Sequence, residues 1–348
     1  MAIASNTAGL SVGAPVRAAA TSAHHPVIGF LARRLAVGLL TLLIASMLIF
    51  VATNILPGNA AVVVLGRGAT PAVLHHLEVE LGINRPIPVR YLSWLGGMLH
   101  GNFGHSAVAE AEGRPDSAIT VTLGSPLADS AILAGLTALL LIPLTLVLGV
   151  LAGLHARRKL DYSISVPALV MSGLPEFVTG TALIFIFFTE LNILPPITLL
   201  NPGQSPLSNL KAMILPVLTL LAVAVGAGIR QVRAGMIEIL QQDFIRFARL
   251  NGIPERRVIL RYALRNALAP SVQIIAQNLQ YLVGGIIIVE SVFTYPGIGT
   301  YLVNAVTSRD VTEVQAAAVI LAALYIVINI IADLIVVFLV PKLRTAMS

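Results

Sequence analysis

The stretch DFIRFARLNGIPERRVILRYALRNALAP, residues 243–270, decides how this chain of 348 residues is organised. It is basic, and its apolar residues recur at helical spacings on both sides of a break at Gly252 and Pro254. Apolar runs at 212–229 and 267–289 flank it, and runs of that length can cross a bilayer. The stretch is therefore predicted to be a helix–turn–helix loop on the membrane surface, with its turn exposed.

The composition excludes an ordinary soluble domain, because 57% of the residues are hydrophobic, only 11% are charged and the mean hydropathy is +0.89. The first apolar run follows Arg33 and Arg34 and is too long for the core of a signal peptide, so we expect it to remain as a membrane helix. The apolar runs predict an all-α integral membrane protein with six transmembrane helices, at 35–56, 130–156, 162–189, 212–229, 267–289 and 314–332.

The basic residues indicate the orientation of the chain, because Lys and Arg are retained on the cytoplasmic side. With the N-terminus inside, 16 of the 22 Lys and Arg residues are cytoplasmic, including eight arginines from Arg230 to Arg265. Both termini are therefore predicted to be cytoplasmic, and the net charge of +6 follows from topology without nucleic acid. The absence of cysteine excludes disulfides and thiolate metal sites.

An external segment of nearly 70 residues follows the first membrane helix. It contains an amphipathic stretch at 71–81. We expect the whole segment to fold as a small cap over the outer mouth. The chain is predicted to divide into a mobile cytoplasmic tail (1–29), the first transmembrane helix (30–56), the external segment (57–125) and a five-helix core (126–348) that includes the cytoplasmic loop 230–268.

Sequence motifs of catalysis and metal binding are absent or occur in the wrong context. No Gly-Lys pair is present, so a phosphate-binding P-loop is excluded, and no HExxH zinc motif occurs. A GxSxG match at 9–13 lies in the tail without the strand and helix of a nucleophile elbow. His75, His76, Glu78 and Glu80 are interpreted as a solvated helix face. We predict no catalytic and no metal-binding residue.

Amide side chains form a stripe in the fifth predicted span. Gln273, Gln277 and Gln280, with Asn278 close by, lie largely along one side at helical spacing. The stripe either contacts a polar solute in a translocation pathway or makes hydrogen bonds between helices, and the two interpretations have equal weight.

Two further pairs in the spans point to helix packing. Asn329 and Asp333 lie one turn apart, and we expect them to pair with a neighbouring helix. Gly149 and Gly153 form a GxxxG pattern, which is typical of closely packed membrane helices.

Several motifs resemble permease subunits of ABC importers of the dipeptide and oligopeptide branch. FIRFARLNG at 244–252 and LRNALAP at 264–270 follow that branch's cytoplasmic coupling loop. They depart from the broader family pattern, which has Glu where Arg246 stands and Pro where Arg265 stands. Further similarities, covering about residues 30–344, are LPGN at 56–59 and GNFGHS at 101–106 (each with Asn for the family's Asp), PEF at 175–177, ESVFTYPGIG at 290–299, SRD at 308–310 and PKLR at 341–344.

The resemblance implies a type I ABC-importer permease fold and the role of a transmembrane permease subunit in ATP-driven peptide import across the bacterial plasma membrane. The long external segment is similar to that of the first of two permease subunits. The implied partners are a second homologous permease, two P-loop ATPase subunits or a fused ATPase, and an extracytoplasmic substrate-binding protein. The chain would hold no cofactor and would not be an enzyme, since ATP and Mg bind to partner subunits. The solute stays open among dipeptides, oligopeptides, glutathione, haem, nickel complexes and sugars.

The resemblance also implies an ATPase-coupling site at the turn near Gly252. A short helix there would enter an ATPase groove, with apolar anchors at Phe247, Leu250 and Ile253 and with Arg249 directed to carboxylates. The predicted coupling residues are Arg246, Phe247, Ala248, Arg249, Leu250, Gly252, Ile253, Glu255 and Arg256.

Two other classes of protein compete with this interpretation. An ion- or proton-coupled secondary transporter of a small polar solute needs ionisable residues near the bilayer midplane and often has inverted repeats. The spans offer mainly Glu176, Glu290 and Asp333, and no repeat is evident. A membrane scaffold that binds anionic lipid would explain the arginines of the loop but not the ordered motifs.

Overall fold

The structure, a computed structural model, describes residues 26–55, 85–111, 117–200 and 203–339, which form helices joined by turns. The predicted all-α class is confirmed. Short 3₁₀ and π turns lie at Pro206–Asn209, Phe185–Glu190 and Val258–Ala263. The α-helices are α1 (Pro26–Ile55), α2 (Ile87–Leu99), α3 (Ala107–Ala111), α4 (Ile119–Thr122), α5 (Gly124–Leu154), α6 (Lys159–Gly173), α7 (Glu176–Ile184), α8 (Leu210–Leu240), α9 (Asp243–Leu250), α10 (Glu255–Arg257), α11 (Leu264–Val292), α12 (Ile298–Thr307) and α13 (Val311–Leu339).

Within the described ranges, four helical segments are long and apolar enough to cross a membrane, and a fifth span results if α6 and α7 count as one. The four are Gly29–Asn54, Ile119–Leu154, Pro206–Leu240 and Val311–Ile335. The span predicted at 267–289 lies in α11, whose side chains are described only in part. The apolar helices support a multi-pass membrane protein, and the count of six spans stays a prediction.

The span predicted at 162–189 is not one straight helix. Helices α6 and α7 meet at an angle of 109°, with the break at Leu174 and Pro175. Leu174 is extended, with φ −92° and ψ 133°, because the ring of a following proline disfavours the helical conformation. The predicted span is thus a bent pair of helices, and Gly173-Leu174-Pro175 is the local cause of the bend.

Helix α8 lies at the centre of the described bundle and packs on α5, α6, α7 and α11. It lies close to α5 at the predicted GxxxG pair. A Cβ atom at Gly149 would lie 2.6 Å from Cβ of Val232, and one at Gly153 would lie 2.7 Å from Cβ of Met236. The predicted close packing is confirmed, since only the missing side chains let the two helices meet here.

Helices α1 and α13 pack against each other at the edge of the bundle. Nε of Arg34 lies 3.0 Å from Oδ2 of Asp333. The expected pairing with a neighbouring helix is confirmed for Asp333 and wrong for Asn329, whose Nδ2 donates to the carbonyl of Tyr325 in its own helix at 2.9 Å. That carbonyl lies four residues back and is within reach without a partner helix.

Several contacts fix the described part of segment 57–125 to the other helices, and they include ring packing and side-chain hydrogen bonds. The rings of Tyr91 and Trp94 in α2 pack on Phe50 of α1, with centroids 5.5 and 5.3 Å away. Oγ of Ser106 donates a 2.7 Å hydrogen bond to Asp310, just before α13. The amphipathic stretch 71–81 lies outside the described residues, so the cap over the outer mouth stays a prediction.

Candidate functional site

The loop 230–268, predicted to be cytoplasmic, is a folded unit built on the end of α8. This helix continues to Leu240, eleven residues beyond the predicted span, and carries Met236 into the loop. Met236 is fully buried together with side chains from α9, from the π turn Val258–Ala263 and from the start of α11. The buried members of this loop cluster are Met236, Ile245, Ala248, Val258, Ala263 and Ala267.

The outward face of α9 carries large apolar side chains in contact with solvent. Phe247 is 63% exposed and Leu250 is 74% exposed, and Phe244 lies one turn earlier at 40%. The predicted coupling residues Arg246 and Arg256 are exposed on the same loop. Exposed apolar side chains grouped on one short helix and bordered by cations are typical of a protein-binding surface.

The predicted turn at Gly252 has the geometry of a Schellman cap. Gly252 has φ +73°, in the left-handed region that favours glycine. Its N–H donates to the carbonyl of Arg249 at 3.0 Å, and the N–H of Ile253 donates to the carbonyl of Ala248 at 3.2 Å. Ile253 also packs against the loop cluster. Ala248 and Ile253, both predicted as coupling residues, therefore lie mainly on the inner side, where they support the exposed helix.

An ion pair crosses this turn. Nη2 of Arg249 donates to Oε1 of Glu255 at 2.6 Å, and Nε donates to Oε2 at 3.1 Å. Hydrogen bonding to Arg249 lowers the pKa of the Glu255 carboxyl, and the same bond raises the pKa of the guanidinium. Arg249 was expected to meet carboxylates of a partner, whereas here its charge is neutralised within the loop.

A second ion pair joins the beginning of α6 to the last two turns of α8. Arg233 donates from Nε and Nη2 to the two carboxylate oxygens of Asp161, at 2.6 and 2.7 Å. The Asp161 side chain is 1% exposed, and it also accepts from the backbone N–H of Arg157 and from Oγ of Ser165. Since Arg233 lies one turn before Met236, this clamp ties the bent pair α6–α7 to the helix that supports the loop.

The predicted amide stripe does not act as one surface among the described side chains. Gln277 is exposed, Gln280 lines a cavity, and the side chain of Gln273 lies outside the described set. Asn278 is buried at the junction with α8 and α5, where a Cβ at Gly228 would lie 2.6 Å from its Nδ2. Asn278 thus belongs to helix packing, and Gln280 is the described member of the stripe that lines a cavity.

The cavity lies between α7, α11 and α13 and has a volume of about 430 Å³. Its polar groups are the carboxylate of Glu176, the amide of Gln280 and the hydroxyl groups of Tyr281 and Tyr325. Glu176 is 9% exposed, and its Oε1 accepts a 2.6 Å hydrogen bond from Tyr281. Sequence reasoning noted Glu176 as a charge within a span and missed Tyr281, because the two residues are 105 positions apart.

Comparison with known proteins agrees with this architecture. Residues 145–345 match the model of the binding-protein-dependent transport system inner membrane component, and residues 27–112 match the N-terminal model of such membrane components. A Brucella suis protein named as a peptide permease is 34% identical, with 89% of this chain and 97% of the relative covered. The oligopeptide transport system permease protein AppB of Bacillus subtilis is 30% identical, with 90% and 99% covered. The chain therefore belongs to the family of inner membrane components of binding-protein-dependent transport systems.

Proposed function

We propose that this chain is the permease subunit of an ATP-driven importer of peptides, that it forms half of the translocation pathway and that it couples to ATPase subunits through the loop 230–268. The names of its relatives, which are peptide and oligopeptide permeases, support the solute class. The family supports a transport component in the plasma membrane that is not itself an enzyme.

The exposed face of α9 is the observation that carries the coupling role. Phe247 and Leu250 are more than half exposed, while Ile245 and Ala248, on the opposite face of the same two turns, are buried. A short helix whose buried face is packed on the loop cluster and whose exposed face is apolar can transmit force, because the exposed side chains that would contact the partner lie on a rigid support. ATPase closure would push on this face, and the loop cluster and the Asp161–Arg233 clamp would pass the movement to α8 and α6.

The proposed assembly contains a second homologous permease, two P-loop ATPase subunits or a fused ATPase, and an extracytoplasmic binding protein. ATP and Mg would bind to the ATPase subunits, so this chain would carry no cofactor. Both termini are proposed to be cytoplasmic, which places the arginines of the loop on the ATPase side.

Asp333 and Glu290, two of the three carboxylates that the secondary-transporter alternative would use, have partners within the fold. Asp333 is paired with Arg34. Glu290 accepts hydrogen bonds from Oγ of Ser130 at 2.5 Å and from the N–H of Gly299 at 2.7 Å, which fixes it in the fold. These carboxylates therefore have structural partners rather than open sites for a transported ion.

Co-purification tests the coupling role directly. The tagged chain is isolated from gently solubilised membranes, and its partners are identified by mass spectrometry. We expect a second permease and P-loop ATPases with the parental chain, and at least a tenfold loss of ATPase from a Phe247→Ala/Leu250→Ala variant. Such a loss corresponds to about 1.4 kcal/mol of binding free energy, which is modest for two exposed apolar anchors.

Leu260→Ala provides the matched control, because Leu260 is a 53% exposed apolar residue of the same loop outside the predicted coupling set. It should retain the ATPase at the parental level. A parental chain that purifies without any ATPase, or a double variant that keeps it, would refute the coupling proposal. Uptake of labelled dialanine in reconstituted liposomes, dependent on ATP and insensitive to a proton uncoupler, tests the solute class and the energy source.

A further inference from the structure

The cavity between α7, α11 and α13 contains a buried carboxylate with unused bonding capacity. Glu176 is 91% buried, and the hydroxyl group of Tyr281 donates a hydrogen bond to its Oε1. Among the described residues, none donates a hydrogen bond to Oε2 and no Lys, Arg or His forms an ion pair with Glu176. A carboxylate in such a place is costly unless a cation or hydrogen-bond donors satisfy it.

The backbone around the carboxylate leaves room for a ligand. A Cβ at Gly285 would lie 3.2 Å from Oε1 of Glu176, so glycine keeps the carboxylate uncrowded. A Cβ at Gly284 would meet nothing within 4 Å, which shows open space on the cavity side. Glu176 also lies in the first turn of α7, where the partial positive charge of the helix favours the charged carboxylate.

The groups that face this space suit a small cation with several N–H donors. The free oxygen of Glu176 provides a charged acceptor, the amide oxygen of Gln280 provides a neutral one, and the rings of Tyr281 and Tyr325 can lie against a cation. Apolar walls from Val283, Ile287 and Leu321 would receive the carbon atoms next to the charge. A primary ammonium group on a short apolar stem meets all of these conditions.

We propose that this cavity is a subsite for the terminal ammonium group of the transported solute, with Glu176 as its counter-ion and Tyr281 as the residue that positions the carboxylate. The proposal rests on the proposed function, because a peptide with a free amino terminus supplies such a group. It gives this chain a part in solute selection in addition to the selection made by a binding protein.

The test compares two solutes that differ in that amine alone. Dialanine and its des-amino analogue, N-propionyl-alanine, are offered to liposomes that contain the complete importer with its binding protein. For Glu176→Gln we expect at least a tenfold loss of dialanine uptake relative to the analogue. Tyr281→Phe should shift the same ratio in the same direction by a smaller factor. The preference of the binding protein cancels when the uptake ratio of a variant is divided by that of the parental chain, since the binding protein is the same in every preparation.

Glu190→Gln is the matched control, because Glu190 belongs to the same bent segment and is exposed. It should leave the uptake ratio within twofold of the parental value. An unchanged ratio in Glu176→Gln and in Tyr281→Phe, or an equal loss for both solutes in both variants, would overturn the subsite.

A second measurement is independent of transport, so that failure of the subsite and failure of the peptide importer can be told apart. Dicyclohexylcarbodiimide, which reacts with carboxyl groups in apolar surroundings, is applied to the purified assembly, and its adduct at Glu176 is followed by mass spectrometry. We expect dialanine to slow the labelling at least threefold and the propionyl analogue to leave it unchanged. Equal rates with the two solutes would contradict the subsite even if peptides are imported.

Discussion

Arg249 and Glu255 are joined by two hydrogen bonds that close the turn of the loop 230–268 on its exposed side, while Ile253 packs against the loop cluster. The turn is thus held on both sides, by an ion pair in solvent and by apolar packing beneath. Both charged side chains are about half exposed, so water and salt weaken their attraction.

The first prediction concerns the pH dependence of this ion pair. The pKa of Glu255 is lowered in the folded loop, so the stabilisation is complete above the unfolded value of 4.5 and is lost as the pH falls through the lower folded value. At neutral pH, Glu255→Gln should increase hydrogen exchange at the turn by a small factor, consistent with less than about 1 kcal/mol for an exposed pair. The difference from the parental chain should vanish at acidic pH. Glu238→Gln, at an exposed site on α8, should show no such difference at any pH.

The second prediction concerns the backbone at Gly252. A Cβ there would meet nothing within 4 Å, so a substitution costs conformational energy alone. Gly252→Ala should destabilise the loop by about 1–2 kcal/mol, and Gly252→Asn by less, because asparagine tolerates the left-handed region better. Limited proteolysis at the turn measures the effect. Gly235→Ala within α8 also meets no neighbour and should leave the cleavage rate unchanged or lower it. Equal cleavage of the Gly252 variants and the parental chain would contradict the cap geometry.

The third prediction concerns the clamp between α6 and α8. Arg233→Ala leaves the buried carboxylate of Asp161 without its charge partner and should destabilise the assembly by about 3–5 kcal/mol. Arg233→Lys keeps the charge but loses the two-bond geometry, so its effect should be smaller. Unfolding in mixed micelles measures stability, and ATP consumed per solute imported measures coupling. If Arg233→Lys folds normally and its ATP cost per solute is unchanged, the clamp has no role in transmission.

The fourth prediction concerns the contact of α5 with α8. Gly153→Ala would place a methyl group 2.7 Å from Cβ of Met236 and should destabilise the protein by about 1–3 kcal/mol through overpacking. Gly135→Ala, on the same helix with nothing within 4 Å, serves as the control. The melting midpoint of the purified assembly should fall for the first variant alone. Helix propensity alone would raise the midpoint of both variants, since alanine is the better helix former. A fall for both variants, or for neither, would therefore contradict overpacking at this contact.

Local sequence patterns predicted those features whose causes are local. The break at Gly252, the amphipathic loop helices and the close GxxxG contact all follow from neighbouring residues, and each has its expected place. The break at Leu174–Pro175 was also encoded locally, but the apolar run around it concealed the proline signal. Contacts between residues that are far apart in the sequence could not be predicted from local patterns. Neither the Asp161–Arg233 clamp nor the Glu176–Tyr281 bond leaves a trace in spacing, because the topology alone brings these residues together.

Helix α8 extends without interruption from the central core to the loop cluster, with Leu215 buried in the former and Met236 in the latter. Its 31 residues span about 46 Å at a rise of about 1.5 Å per residue. A rod of that length, turning about its middle by about 5°, moves each end by about 2 Å, which is comparable with the helix shifts of allosteric proteins. Because α8 is long, a large rearrangement of the bundle is not needed. A small tilt of the helix at the loop is geometrically sufficient to widen or narrow the far end of the bundle.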